Sequence, residues 1–157
     1  MSKVIDTNVL IVANGNSKQA SIDCELACIE MIERPAEISI SIDEQGLIMD
    51  EYEKYCSYKG APGVGDMFFK YIYDNQYDPT SRVNLITITP IDDETRSFKE
   101  LPTNNFDPSD RKMLATAVVA EAEVVNATDS DWAEQDELMQ QLNVTVRQLC
   151  PVCCHRN

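Results

Sequence analysis

Strand-like segments alternate with helix-like segments along the whole chain, and this alternation restricts the fold more than any other feature. Strands are predicted at residues 3–6, 37–42, 83–87, 124–126 and 144–148. Helices are predicted at residues 18–33, 43–56, 66–75, 93–100, 107–122 and 131–142. Such alternation favours an α/β fold in which helices cover a central, mostly parallel five-stranded sheet.

The sequence indicates an apolar face on one of the predicted helices and the N-terminal end of another. The helix at 18–33 shows apolar residues at helical spacing, namely Ile22, Leu26, Ile29 and Ile32. The helix at 107–122 begins with Asp107 as a capping residue and Pro108 in its first turn.

A glycine-rich stretch, Gly60–Gly65, lacks the Lys-Ser/Thr of a phosphate-binding loop and is predicted to be a plain connector.

Length and composition predict one folded domain. The chain has 157 residues, of which 43% are hydrophobic and 25% are charged, and this balance is typical of globular proteins. No apolar run reaches the roughly 18 residues of a membrane span, and the first residues do not resemble a signal peptide. We therefore expect a cytoplasmic protein with a domain at residues 1–149 and a cysteine-rich tail at 150–157.

The net charge of −14 would repel a nucleic acid at long range and so argues against a simple nucleic-acid binder. It does not argue against a metal-dependent nuclease, because bound cations supply the local positive charge. The alternative is that the acidic surface only keeps the protein soluble.

Six cysteines in a reducing compartment are predicted to be free thiols rather than a disulfide framework. Cys24 and Cys28 lie on one helix face and are expected to be small buried residues. The segment Cys150-Pro151-Val152-Cys153-Cys154-His155 has the C-x-x-C spacing of a zinc knuckle. Since a structural zinc site takes two such pairs and one is present, a frayed tail is favoured.

Acidic residues follow two predicted strands directly. Asp6 ends the first strand, and Asp129 and Asp131 follow the fourth. The carboxyl ends of parallel strands meet at one edge of a sheet, where α/β proteins bind ligands. We therefore expect these carboxylates to lie close together.

Two further acidic residues lie on inward-facing helix positions. At about 100° per residue, Glu51 falls about 40° from Leu47, within the apolar arc that contains Ile48, Tyr52 and Tyr55. Asp110 falls close to Leu114, Ala117 and Val118 in the same way. A carboxylate on a buried face is costly unless it is paired or binds a metal ion.

Each acidic residue also has a structural alternative. Asp110 is placed to form a capping box with Asp107, and Asp6, Asp129 and Asp131 are placed to cap turns or helices. Glu51 would be satisfied by a buried lysine or tyrosine. These alternatives are independent of one another, whereas a metal site explains all of the residues together.

Four segments resemble the motifs of PIN-domain nucleases, in order and spacing, over about residues 3–148. They are Val4-Ile5-Asp6-Thr7-Asn8-Val9-Leu10, Ile48-Met49-Asp50-Glu51-Tyr52, Asp110-Arg111-Lys112-Met113-Leu114-Ala115-Thr116-Ala117 and Ala127-Thr128-Asp129-Ser130-Asp131-Trp132. The resemblance implies a Rossmann-like three-layer sandwich, bound Mg²⁺ or Mn²⁺, and hydrolysis of RNA or, less often, DNA. The glycine-rich stretch and the cysteine tail are not part of the family pattern.

The mechanistic hypothesis is that Asp6, Glu51, Asp110 and Asp129, helped by Asp131, hold one or two divalent ions. Three neighbouring residues, Thr7, Asn8 and Thr128, are expected to orient these carboxylates. Two cations, Arg111 and Lys112, are placed either to contact a nucleic-acid backbone or to form a solvated helix face.

Two other classes of function remain open. One is a catalytically weak binding or regulatory subunit that retains the acidic pocket for structure. The other is a toxin or defence effector that is silent until a partner, such as an antitoxin or an ATPase, engages it. The family resemblance also implies a possible homo-oligomer and leaves the choice among RNA and DNA substrates open.

Overall fold

Five parallel strands form the centre of the molecule in a computed structural model that describes residues 1–150. They are β1 (Lys3–Ile5), β2 (Ile40–Asp43), β3 (Val83–Ile86), β4 (Glu123–Asn126) and β5 (Val146–Gln148). Their order in the sheet is β3-β2-β1-β4-β5, and every neighbouring pair is parallel. The predicted α/β class is confirmed, and the described sheet is entirely parallel.

Helices cover the two faces of the sheet and complete a three-layer sandwich. They are α1 (Thr7–Ala13), α2 (Ile22–Ile32), α3 (Leu47–Glu53), α4 (Val64–Asn75), α5 (Arg111–Ala120), α6 (Asp131–Glu134) and α7 (Asp136–Gln141). Helices α1, α2 and α4 pack against one another, while α5 packs across β1, β2, β3 and β4. Right-handed crossovers account for this division of the helices between the two faces.

Burial on both faces explains why the strands read as apolar runs. Val4 and Ile5 of β1 and Val124 and Val125 of β4 are each fully inaccessible to solvent. None of the helices in residues 1–150 is long and apolar enough to cross a membrane.

The strand order places a crevice between β1 and β4. From β1 the chain moves outward to β2 and β3, and it then returns to the other side of β1 to form β4 and β5. The order reverses between β1 and β4, and the crevice beyond the carboxyl ends of these strands is where open α/β sheets bind ligands. Asp6 and Asp129 follow these two strands.

The glycine-rich connector packs tightly against α1, which explains its composition. A Cβ atom at Gly65 would lie 2.3 Å from the carbonyl oxygen of Leu10, and one at Gly63 would lie 2.0 Å from Oδ1 of Asn14. Asp66 accepts hydrogen bonds from the Gly63 and Ser57 amides at 2.9 and 2.8 Å. Residues 60–63 form the predicted connector, whereas Val64 and Gly65 already belong to α4. The close approach to the end of α1 leaves no room for a side chain at Gly63 or Gly65.

One helix was not predicted, and two predictions about buried helix positions are wrong. Helix α1 was not predicted, because it starts directly at the end of β1. The buried face of α2 is formed by Cys24, Cys28 and Ile32, whereas Ile22 and Leu26 are 71% and 56% exposed. Tyr55, assigned to the buried arc of the third predicted helix, is 53% exposed and lies beyond the end of α3.

The helix predicted at residues 93–100 is a compact turn structure instead. Ser97 has a φ of 65°, which interrupts any helix at that point. The Ile91 amide donates to the Ser97 carbonyl at 3.0 Å, and the Lys99 amide donates to the Thr89 carbonyl at 2.8 Å. The segment therefore folds back on itself as an antiparallel bridge.

The prediction of free thiols is wrong for two cysteines. Cys24 on α2 and Cys150 after β5 are joined by a disulfide, because the fold brings residues 126 positions apart to a Cα–Cα distance of 5.0 Å. Cys28 is buried and Cys56 is half-buried, and both are free. Cys153, Cys154 and His155 lie outside the described residues.

Candidate metal centre at the carboxyl end of the sheet

Asp6 lies at the centre of the crevice, where β1 ends and α1 begins. Its amide donates to the Val125 carbonyl at 3.0 Å, which ties the end of β1 to β4. Its carboxylate is 3% exposed, and one oxygen accepts a hydrogen bond from the indole Nε1 of Trp132 at 2.5 Å. Asp6 occupies the N-cap position of α1 without a side-chain capping bond. The Asn8 backbone amide, in the first turn of α1, also favours the charged form of Asp6 and so opposes the rise in its pKa that burial causes.

Three carboxylates converge in the crevice from separate parts of the chain. One oxygen each from Asp6, Asp110 and Asp129 lies within 4.8 Å of the other two. Asp110 enters from the start of α5, and Asp129 from the turn after β4. Asp6 and Asp129 therefore lie close together, as expected from the strand ends, and Asp110 joins them, whereas Asp131 is not a member of this group.

The environment opposes ionisation of two of these carboxyl groups. Burial raises the pKa of Asp6 to about 7, with further contributions from the charges of Asp129 and Glu51, although the Trp132 hydrogen bond acts in the opposite direction. Burial also raises the pKa of Asp110 to about 8, assisted by the charges of Asp6 and Asp129 and by a hydrogen bond with Asp129. Without a cation, the cluster therefore retains protons near neutral pH.

A second group of acidic oxygens adjoins the first and shares Asp110. Oxygens of Asp107, Asp110 and Asp131 also lie within 4.8 Å of one another. Asp107 is exposed and accepts hydrogen bonds from the amide and hydroxyl of Ser109, which confirms the predicted capping role. Burial and the charge of Asp129 raise the pKa of Asp131. Asp131 thus lies beside the first group as an additional carboxylate.

Glu51 is engaged by two other side chains and is not a member of either group. Lys112 Nζ lies 2.8 Å from one carboxylate oxygen, and the Thr7 hydroxyl donates to the other. This arrangement is the structural alternative given for Glu51, in which a lysine pairs with its carboxylate. Its charge still contributes to the raised pKa of Asp6, so Glu51 borders the cluster.

A network of side-chain amides fixes the loop that carries Asp129. Asn8 donates to Oδ1 of Asn126 at 2.8 Å and accepts from the Ala127 amide at 2.9 Å. Asn126 donates to the carbonyl of Asp129 at 2.8 Å, and the Asp131 amide donates to the Asp129 carboxylate at 2.9 Å. Asn8 therefore positions Asp129 through Asn126, and Asp129 also caps its own turn.

Three other residues were predicted to take part in the site: Arg111 and Lys112 as contacts for a nucleic-acid backbone, and Thr128 as an orienting residue. Arg111 is 4% exposed and donates to the Glu94 carbonyl, Ser97 and Asn104, so a contact with a nucleic-acid backbone is incompatible with its position. A backbone contact by Lys112 stays a prediction. Thr128 is half-buried beside Asp129, and no side-chain hydrogen bond to it occurs within residues 1–150.

Trp132 and Asn126 are two positioning residues that the sequence did not single out. Trp132 is 1% exposed, and its ring packs edge-on against Phe106 at a centroid distance of 4.7 Å. A buried tryptophan needs an acceptor for its N–H group, and this need is the signal that could have identified Trp132 as a partner of a buried carboxylate. Asn126 occupies the last position of β4, where a polar residue in a buried strand needs a partner.

Cavity size does not identify this centre. A cavity of about 600 Å³ lies between α2 and the β1–β5 side of the sheet, lined by residues such as Lys3, Ala27 and Arg147. A smaller one of about 370 Å³ adjoins the second acidic group at Asp107 and Asp131. Neither cavity is lined by Asp6, Asp110 or Asp129, so we locate the chemistry from the convergent carboxylates with raised pKa values.

The donor set fits a hard divalent cation. Carboxylate oxygens are the ligands of Mg²⁺ and Mn²⁺, and the three oxygens of Asp6, Asp110 and Asp129 lie close enough to share one ion. Lys112, two residues after Asp110 on α5, is paired with Glu51. A cation would favour the ionised forms of Asp6 and Asp110 and so oppose the burial and the carboxylate repulsion that raise their pKa values.

Searches against protein-family models, curated proteins and solved structures find no match to this chain.

Proposed function

We propose that this chain is a Mg²⁺- or Mn²⁺-dependent nuclease that hydrolyses single-stranded RNA at the Asp6–Asp110–Asp129 cluster. The observation that carries the proposal is the approach of three carboxylate oxygens to within 4.8 Å in the crevice between β1 and β4. The resemblance of four segments to PIN-domain motifs supports the same reaction, and three of the four motif carboxylates are members of the cluster.

The residues around the cluster have separate roles in this proposal. Asp6, Asp110 and Asp129 would hold the ion, with Asp131 adjoining through Asp110. When bound, the ion would supply a Lewis acid that acidifies water and neutralises charge on the phosphate. Trp132 fixes the Asp6 carboxylate, while Asn8 and Asn126 fix the turn of Asp129. Asp6 and Asp110 would have to be ionised to hold the ion, since only ionised carboxylates are good ligands.

Glu51 has a different role from that of the three clustered residues. Its ion pair with Lys112 and its hydrogen bond from Thr7 hold a carboxylate at the border of the cluster. A phosphate bound in the crevice would compete with Glu51 for Lys112, because both are anions. Glu51 would then be free to accept a proton or to complete a second cation site.

The charge of the chain favours a basic partner. With a net charge of −14, the surface repels RNA, whereas a basic protein such as an antitoxin would be attracted to it and able to cover the crevice. The proposed nuclease is therefore best understood as the toxin or effector of a two-protein system, acting in the cytoplasm where its RNA substrate is found.

A cleavage screen tests the proposal. End-labelled RNA and DNA, single and double stranded, would be incubated with the protein in Mg²⁺, Mn²⁺ or neither. We expect metal-dependent cleavage of single-stranded RNA, reduced at least about 100-fold, or ~2.7 kcal/mol of activation free energy, in the Asp6→Asn/Asp110→Asn double variant. Undiminished cleavage by the folded double variant would disprove the proposal.

The matched control is Asp50→Asn. Asp50 is exposed on α3, adjacent to Glu51, so this variant removes a carboxylate charge near the centre without altering the cluster. It should cleave as the wild type does. Metal binding by a wild-type protein that cleaves no nucleic acid would instead favour the weakly catalytic binding subunit.

A further inference from the structure

Exposed aromatic side chains are confined to one part of the molecule. Those of residues 1–150 all lie between Tyr55 and Tyr77. Three of them, Tyr55, Tyr58 and Tyr73, are 53%, 44% and 49% exposed, and we refer to these three as the tyrosine surface. They lie on both sides of the glycine-rich connector between α3 and α4, which is not part of the PIN family pattern and has no role in the nuclease proposal.

Two of the three rings are held in fixed contact. The centroid of the Tyr58 ring lies 4.8 Å from that of Tyr73, at an interplanar angle of 70°, and 4.8 Å from that of the buried Phe69, at 48°. Tyr58 and Tyr73 nevertheless leave nearly half of their area accessible to solvent. Because packing already orders these rings, a ligand that binds them loses little free energy in fixing side chains.

The same part of the chain departs from the acidic character of the rest. Although the whole chain has 27 acidic and 13 basic residues, residues 54–73 contain three lysines, namely Lys54, Lys59 and Lys70. Asp66 is the one acidic residue among them, and it is 5% exposed and accepts hydrogen bonds from two backbone amides. Of the flanking acids, Glu53 lies beside Tyr58 and Asp74 pairs with Lys70. The exposed charge within this segment is therefore positive.

Each ring of the tyrosine surface has a lysine near it. Lys54 precedes Tyr55 and Lys59 follows Tyr58, while Lys70 lies three residues before Tyr73 on α4, a spacing that places side chains together on a helix. Gly60 has a φ of 72°, and a Cβ atom there would lie 2.8 Å from Cδ of Lys70. The aliphatic part of Lys70 therefore packs against the connector at a position that only glycine fits.

Tyr55 connects this surface to the acidic cluster. It lies four residues after Glu51, and the Cys56 amide donates to the Tyr52 carbonyl at 2.9 Å, so helical geometry continues through Tyr55. Residues at this spacing lie on the same side of a helix, with Cβ atoms about 5–6 Å apart. Since Glu51 borders the Asp6–Asp110–Asp129 cluster, a strand that leaves the cluster past Glu51 meets Tyr55 next.

We propose that the tyrosine surface stacks on unpaired bases of a single-stranded nucleic acid while the three lysines contact its phosphates. Every base has a flat π face, so aromatic side chains bind single strands with little sequence preference, whereas the bases of a duplex are stacked on one another. Stacking also provides an attraction that an acidic protein needs, because it does not require opposite charges. The path from this surface into the acidic cluster rests on the proposed function, but the binding itself does not.

Binding without cleavage tests the proposal. A uridine RNA of about 12 nucleotides with a 5′ fluorophore would be titrated with the protein in EDTA and followed by fluorescence anisotropy. Tyr55→Leu and Tyr73→Leu, which keep an apolar side chain but remove the ring, should each weaken binding at least about fivefold. Tyr73→Phe, which restores the ring, should recover most of the lost affinity. Duplex RNA, and a strand of equal length without bases, should each bind at least about fivefold more weakly than the uridine strand.

The lysines are tested by the salt dependence of the same titration. Lys59→Gln should weaken binding and make it less sensitive to salt, because one phosphate contact fewer releases fewer counterions. The matched control is Lys99→Gln, since Lys99 is exposed in the turn structure after β3. Its affinity and salt dependence should equal those of the wild type.

The outcomes separate this proposal from the nuclease proposal. Uridine RNA that does not bind the wild type, or binds the leucine variants equally well, would overturn the tyrosine surface even if the wild type cleaves RNA. Equal binding of the strand without bases would overturn stacking. Ring-dependent binding together with a negative cleavage screen would retain the tyrosine surface and overturn the nuclease.

Two further results decide between folding or assembly effects and binding. If Tyr73→Leu fails to fold, Tyr55→Leu decides, because Tyr55 contacts no other ring within residues 1–150. Dimers of the wild type that are seen by analytical ultracentrifugation and lost in Tyr73→Leu would assign the surface to a second copy of the chain and overturn the proposal.

Discussion

Replacement of Asp110 by asparagine should stabilise the metal-free protein at alkaline pH. The pKa of Asp110 is raised from 3.8 to about 8, chiefly by burial and by the charges of Asp6 and Asp129. An amide at this position carries no charge and is able to donate to Asp129 as the protonated acid does. Asp110→Asn therefore mimics the protonated state at every pH.

The sign and size of the effect follow from proton linkage. An unfolded aspartate loses its proton near pH 4, whereas the folded Asp110 retains it to about pH 8, so the folded chain binds more protons between these limits. Its stability is greatest below the unfolded pKa and falls as pH rises through the folded pKa. One proton over two pH units corresponds to ~2.7 kcal/mol. We count one proton because Asp6 and Asp110 repel each other, so the free-energy costs of ionising the two carboxyl groups do not simply add.

The assay is urea unfolding at pH 5 to 8 in buffer without divalent cations, followed by the fluorescence of Trp132, the chain's one tryptophan. The wild type should lose about 3 kcal/mol of unfolding free energy between pH 5 and 7. Asp110→Asn should lose much less and should exceed the wild type at pH 8 by at least about 3 kcal/mol. Saturating Mn²⁺ should stabilise the wild type and not the variant.

The control is Asp92→Asn, which removes the same charge from an exposed position outside the cluster. Its pH dependence should parallel that of the wild type. Wild-type stability that rises from pH 5 to 8, or an Asp110→Asn variant no more stable than the wild type at pH 8, would refute the electrostatic reasoning.

Three other substitutions test the structure around the cluster. Trp132→Phe removes the hydrogen bond that lowers the pKa of Asp6, so the pH at half-maximal Mn²⁺ binding should rise by about one unit; an unchanged midpoint would contradict this. Asn8→Ala removes two hydrogen bonds to the loop after β4 and should cost about 2 kcal/mol in urea unfolding, and a cost below about 0.5 kcal/mol would argue against the network. Gly65→Ala places a Cβ 2.3 Å from the Leu10 carbonyl and should cost about 3 kcal/mol, whereas Gly46→Ala, with φ of 85° and no atom within 4 Å, should cost only about 1 kcal/mol. Equal costs for the two glycine variants would show that packing against α1 is not the cause.

Local patterns were sufficient to predict the strands and the position of the acidic cluster. The apolar runs around Val4 and Val124 identify buried parallel strands, and Asp6 and Asp129 follow them directly. Because parallel strands align their carboxyl ends, short-range information was enough to bring these carboxylates together.

Features that depend on distant contacts could not be predicted in this way. Residues 93–100 form turns because Arg111 holds this segment with hydrogen bonds to Glu94 and Ser97. Glu51 is paired with Lys112, 61 positions further along the chain. The predicted burial of Cys24 and Cys28 on α2 is confirmed, but the disulfide between Cys24 and Cys150 joins residues 126 positions apart and could not be read from local spacing.

The identity of the centre is tested most directly by calorimetric titration of Mn²⁺ into the wild type, Asp110→Asn and Asp92→Asn at about pH 6 and pH 8. We predict binding by the wild type and Asp92→Asn that is tighter at pH 8, since Asp6 and Asp110 must lose protons as the ion binds. Asp110→Asn should bind at least about tenfold more weakly. Equal affinities for all three proteins, or no Mn²⁺ binding by the wild type at pH 8, would contradict a metal centre at these carboxylates.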